Sequence, residues 1–165
     1  MKTHLLLIGL LLLTSACGFH LRGSQMTNFD VSNIFVQPAG ATKLATEVKS
    51  QLSGAGVSIA NSAETATYIV TLREERFVRE VLSVAADTGK VEEFQIVYTA
   101  KMDVFSPDGK TIVKNDNVRS VRDFTFDEDA VLGKFSEEAL LQEDIVRRAA
   151  SQVLRRLQAL LSSNN

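Results

Sequence analysis

From Glu93 to Val104 the chain reads EFQIVYTAKMDV. Phe94, Ile96, Tyr98, Ala100, Met102 and Val104 alternate without a break with Glu93, Gln95, Val97, Thr99, Lys101 and Asp103. Successive side chains on a strand point to opposite faces, so this pattern commits the segment to a sheet with one face in a core and the other largely wet. Such a strand needs paired neighbours and a covering layer.

The flanking sequence supplies both. DTGK at 87–90 and SPDGK at 106–110 are turn sequences with glycine where positive φ is required. Before the first turn, YIVTLREERFVREVLSVA (68–85) is rich in β-branched and aromatic residues, which predicts a strand. Its REER stretch (73–76) interrupts the alternation, marks a bulge or a sheet edge, and leaves the register open. After the second turn, TIVKNDNVRSVRDFTF (111–126) reads as a fourth strand region, with Val118, Phe124 and Phe126 in one phase and Val121 in the other. Upstream, NIFVQ (33–37), ended by Pro38, is compatible with a first strand.

Two segments carry helical spacing instead. ATKLATEVKSQLS (41–53) places Leu44, Val48 and Leu52 four apart with Ala41 and Ala45 beside them, and Gly54 and Gly56 stop it. Residues 137–161 put Val146, Ala149, Ala150, Val153, Leu157, Leu160 and Leu161 on one stripe with Arg148 and Arg155 opposite, and Ser136, Glu137 and Glu138 suit its amino-terminal end. The expected fold is therefore α+β in the order β-α-β-β-β-α: two helices packed on one face of a small, four-stranded, mainly antiparallel sheet. It forms one domain over 31–161, followed by a short polar tail at 162–165.

The amino terminus has a different character. Lys2 precedes an apolar run from Leu5 to Leu13, and the small residues Thr14, Ser15 and Ala16 lead into Cys17, the order of a secretory signal peptide. The run is about half the length that would span a bilayer. With one cysteine in the whole sequence, no intramolecular disulfide can form. Small residues directly before that cysteine match a bacterial lipobox, in which the sulfur receives a diacylglyceryl group and the new amino terminus is acylated after cleavage. Residues 1–16 are thus expected to leave, and Cys17 to be lipidated. Several acyl chains hold a membrane durably where one chain holds marginally. Gly18 rather than Asp follows the cysteine, which favours the outer membrane. Residues 17–30 are polar, lack periodicity and read as a tether containing His20.

A formal net charge of −2 over 165 residues argues against a general polyanion binder, so no nucleic-acid partner is expected. His4 leaves with the signal peptide, so one histidine and a blocked cysteine remain. That removes Cys/His catalysis, and no metal site or cofactor is expected. No nucleotide-binding or nucleophile-elbow motif occurs. The acidic groups Glu74 with Glu75, Glu92 with Glu93, and Asp127 to Asp129 are expected to serve solubility and helix ends, since adjacent carboxylates in a strand face opposite sides. No catalytic residue is assigned.

CGFHLRG at the lipidation site, the EFQIVYTAKMDVF strand and the closing QEDIVRRAASQVLRRL helix together resemble the LptE family of lipopolysaccharide-assembly lipoproteins, from Cys17 to about Leu161. The resemblance implies an outer-membrane lipoprotein that plugs the LptD β-barrel, helps it assemble, and contacts lipopolysaccharide on its way to the cell surface. It also implies a contact at Lys134, in the loop before the long helix, where relatives carry a basic residue. At the DTGK turn this chain has Asp87 where a relative can be basic, with Lys90 three residues on. Arg122 is a further candidate, although Arg119 lies on the opposite face of the same strand and cannot join it in one patch. The other readings are a free lipid-carrying or lipid-sensing outer-membrane lipoprotein without a barrel partner, which would need an apolar cavity, and a carboxylate-based hydrolase, which would need converging acids.

Overall fold

A computed structural model of the chain describes residues 33–125 and 131–162, with only the helical backbone given for 131–136. The signal peptide, Cys17, the tether and the acids Asp127 to Asp129 lie outside the described residues, as do the last three residues of the tail.

Strands β1 (Ile34–Ala39), β2 (Tyr68–Val84), β3 (Val91–Phe105) and β4 (Thr111–Thr125) stand side by side in that order in one sheet. Helix α1 (Thr42–Gly54) links β1 to β2, with a short 3-10 turn (Ala63–Thr65) on the way, and α2 (Val131–Ser162) closes the chain. The α+β class and the element order are as expected. The sheet is mixed rather than wholly antiparallel, because β1 runs parallel to β2, from Ile34 opposite Tyr68 to Ala39 opposite Arg73. The reason is topological: a strand that leaves through a helix and returns beside itself needs a crossover, which delivers a parallel neighbour. Pro38 lies inside β1 rather than ending it, a place open to proline because β1 is an edge strand. The long helix begins at Val131, so Lys134 lies in its first turns and not in a preceding loop.

The alternation in β3 sorts as its sequence requires. Ile96, Tyr98, Ala100, Met102 and Val104 are buried beneath the helices, joined by Val70 and Leu72 of β2 and by Val118 and Phe124 of β4. Onto this face α1 lays Leu44, Ala45, Val48 and Leu52, and α2 lays Ile145, Ala149, Ala150, Val153 and Leu157. Each fully buried aliphatic side chain contributes about 1.5–3 kcal/mol relative to exposure. The two helices run parallel: Thr42 to Glu47 lie beside Ala139 to Arg147, while Gln51 reaches the Arg147 carbonyl and accepts from Ser151 Oγ. At the end of α1, Gly56 adopts φ +80°, and Val57 N–H returns to the Leu52 carbonyl at 3.0 Å. That left-handed residue favours glycine.

The molecule has two unequal halves. In the proximal half, where the chain enters at Asn33, all four strands pair and both helices cover them. Beyond Ala39 there is no β1, so the outer side of β2 from Glu74 onward has no strand beside it among the described residues. The β2–β3 hairpin continues into a distal half covered by α2, whose 32 residues outrun the 13 of α1. Val78, Val81, Leu82 and Val84, each about half exposed, lie on this extension.

Candidate functional site

The halves meet at a bulge, and its chemistry begins with one backbone angle. Glu74 has φ +57°, and the register with β3 slips between Arg73 and Arg76, so that two residues of β2 are accommodated where β3 provides one. Its two carboxylates are thereby sent to opposite sides of the sheet. Glu75 turns under to the amino terminus of α1, where it accepts from Lys43 N–H at 3.2 Å and Leu44 N–H at 3.1 Å, and from the Tyr98 hydroxyl at 2.8 Å. Ala41 at the N-cap has no side chain able to do this. Glu75 caps the helix from another element. Burial, and secondarily the bond to Glu75, push the Tyr98 hydroxyl far above the usual phenol value.

Glu74 faces the open side of the sheet and accepts from Arg73 Nη1 at 2.7 Å, while Lys101 Nζ sits 2.6 Å away. Asp103, buried on the same face, accepts from Arg73 Nε at 2.7 Å and from Asn115 N–H at 2.6 Å. Asn115 is a second left-handed residue (φ +58°), and its side chain also meets Arg73. The Arg73 guanidinium holds the Asp103 carboxyl below its ordinary range. These acids are thus engaged in holding the two bulges, and Glu74 and Glu75 do not converge.

Basic residues at the distal end have a different setting. Lys90 closes the hairpin turn, its carbonyl accepting from Ala85 N–H at 2.8 Å, and its side chain is exposed. Lys134 belongs to the same end, since α2 starts there; its side chain lies outside the description. Arg122, opposite Ile96 on the helix-covered face, donates from Nε (2.9 Å) and Nη2 (2.8 Å) to one oxygen of Asp144, which also receives Arg148 Nε at 2.8 Å. Arg122 therefore pins α2 to β4, which takes up much of its donor capacity. Arg119, opposite Thr99, faces the other way, as the alternation required. Arg79 makes a similar clamp, stacking 4.5 Å over Phe94 and reaching Glu138 at 3.5 Å. The structure so brings Lys90 and the start of α2 to one end. Cys17 lies outside the described residues.

The sequence assigns the Glu74 and Glu75 pair to solubility or to helix ends in general, but does not attach Glu75 to α1. The signals were present but separated: an α1 start without a capping side chain, and a broken alternation some thirty positions later.

The family profile described as LptE, lipopolysaccharide-assembly, matches residues 27–157. An LPS-assembly lipoprotein LptE from Pectobacterium atrosepticum is 32% identical, over 92% of this chain and 83% of that protein. One from Photorhabdus laumondii is 28% identical over the same shares. Among solved structures, lipoprotein B of Nitrosomonas europaea superposes with a TM-score of 0.74 at 23% identity, covering 88% of this chain and 93% of its own, a likeness of fold.

Proposed function

This chain belongs to the LptE family of lipopolysaccharide-assembly lipoproteins, and we propose that it acts as a lipid-anchored plug and assembly subunit inside an LptD-type outer-membrane β-barrel, contacting lipopolysaccharide at its distal end. It is a non-enzymatic subunit in this reading, tethered to the outer membrane through acylated Cys17.

The observation that carries the proposal is the separation of the two ends. The chain enters from the anchor side at Asn33, while Lys90 and the start of α2 lie at the far end. The 17 residues of β2 span roughly 55 Å at about 3.3 Å per residue, and a bilayer with its headgroups is about 40–45 Å thick. A domain of that length inside a barrel reaches from one membrane surface to the other. The lumen of such a barrel is polar. The open sheet face suits it, with the Arg73–Asp103 and Lys101–Glu74 pairs and the Gln95–Asp123 hydrogen bond spread across it. In this reading Lys90 and Lys134 meet phosphates or carboxylates of the lipopolysaccharide, and Arg122 contributes by fixing α2. The groove between α1 and α2, about 530 Å³, is open to solvent and rimmed by Lys43, Glu47, Glu143 and Arg147, so it lacks the enclosure that a free lipid carrier needs.

The test is affinity purification of the lipidated protein from outer membranes in mild detergent, with mass spectrometry of what accompanies it. A near-stoichiometric, salt-resistant β-barrel is the expected result. Recovery alone, or with free lipid only, would overturn the plug reading.

A further inference from the structure

The outer edge of β4 and the flank of α2 enclose a depression of about 470 Å³, within the range of roughly 300–1,000 Å³ typical of small-molecule sites. It is lined by Arg119, which leaves the far face of β4 but stands at the open edge of the sheet, and by Arg148 and Arg155 from the helix, with Gln152 between them. The positions 148, 152 and 155 recur at helical spacing and so share one stripe of α2. Elsewhere in the fold Arg73 is matched by Asp103 and Glu74, Arg79 by Glu138 and Arg156 by Asp116, while Arg76 and Arg147 form no ion pair among the described residues. Here two such arginines stand together with a third that is only half matched. Arg119 and Arg155 form no ion pair among the described residues, and Arg148 shares its acid, Asp144, with Arg122. A chain of net negative charge thus concentrates unneutralised guanidinium in one concavity.

We propose that the depression framed by Arg119, Arg148, Arg155 and Gln152 is a binding site for a phosphate-bearing anion, separate from the distal lysines. Guanidinium forks match phosphate oxygens in bidentate fashion, and the amide of Gln152 adds a neutral donor. The volume accommodates a phosphate together with part of a sugar. The phosphate is that of a phosphorylated glycolipid or of a small free phosphate. The first source rests on the lipopolysaccharide reading above; the anion chemistry does not.

The full-length protein in detergent would be titrated with inorganic pyrophosphate, and separately with phosphatidylcholine vesicles containing or lacking lipopolysaccharide. Arg119→Gln/Arg155→Gln would be compared with Arg76→Gln, an exposed arginine outside the depression, after circular dichroism shows that each variant is folded. The double variant is expected to bind at least one probe about tenfold more weakly or worse, as loss of charge-assisted contacts implies, with Arg76→Gln close to the parent. Saturable pyrophosphate binding supports a site for free phosphate, and response to lipopolysaccharide vesicles alone supports a headgroup site. Equal weakening by Arg76→Gln, or no saturable binding of either probe, overturns the proposal. So does binding that the double variant leaves intact for every probe the parent binds. None of these results bears on whether a barrel co-purifies.

Discussion

The proximal and distal halves are built from the same three long strands, yet they differ in almost every physical respect. In the first, both helices seal the sheet, and Leu44, Val48, Leu52, Val70 and Leu72 are inaccessible to solvent. In the second, one helix covers the hairpin, four β2 side chains stand about half exposed, and the contacts holding α2 down include the ion pairs of Arg122 with Asp144 and of Arg79 with Glu138. Apolar burial gives large, pH-insensitive stability, whereas partly exposed ion pairs contribute little net energy but fix geometry. Stability is thus concentrated near the chain entry, and the end carrying Lys90 and Lys134 is positioned rather than buttressed. Local opening is expected to start there.

The most forceful way to test that division is the same substitution in each half. Leu52→Ala, in the sealed core, should cost about 2–5 kcal/mol in urea unfolding. Leu140→Ala, at 66% exposure on the distal stretch of α2, should stay within about 0.5 kcal/mol. Comparable costs would erase the distinction. The junction comes next: Glu75→Ala removes the cap of α1 and the acceptor of Tyr98, and should cost about 1–3 kcal/mol. If the bulge joins the halves as described, hydrogen exchange should accelerate in α1 as well as beside Glu75.

A pH series sharpens the comparison at smaller scale. Asp103 has a folded pKa below its ordinary 3.8, so the unfolded chain takes up its proton first on acidification. Its contribution is present above about pH 4 and is lost below it. Tyr98 is the converse, raised above its ordinary 10.0, so its contribution is intact below pH 10 and declines as the pH rises further. Urea midpoints should therefore hold between these limits as far as these two groups are concerned, and Arg73→Gln should flatten the acidic limb. The smallest stability effect belongs to the hairpin tip: Lys90→Gln should leave the unfolding midpoint unchanged while weakening retention on lipopolysaccharide vesicles. A shifted midpoint would show that Lys90 works structurally.

How much of this could be read beforehand depended on how local its cause was. The β3 alternation and the α1 stripe are local, and every residue named on their core sides is buried except Phe94, which is partly buried against the core. Parallel pairing of β1 follows from a rule of topology that the strand-helix-strand order invokes. The left-handed backbone at Glu74 and Asn115 was not legible, because those residues adopt it only under the compulsion of neighbouring strands. The start of α2 was placed six residues late, since Gly133 and the SEE sequence imitate an end and a beginning. The basic candidates divided for the same reason: nothing near Arg122 in sequence announces that Asp144, 22 positions on, will accept its fork.

The parallel course of the two helices has an electrostatic consequence. Their peptide dipoles point the same way, each equivalent to roughly half a positive charge at the amino end. At α1 that charge is met by the Glu75 carboxylate. At α2 it falls on the distal end, beside the hairpin that carries Lys90. A field produced by backbone does not titrate and is not abolished by substituting a lysine.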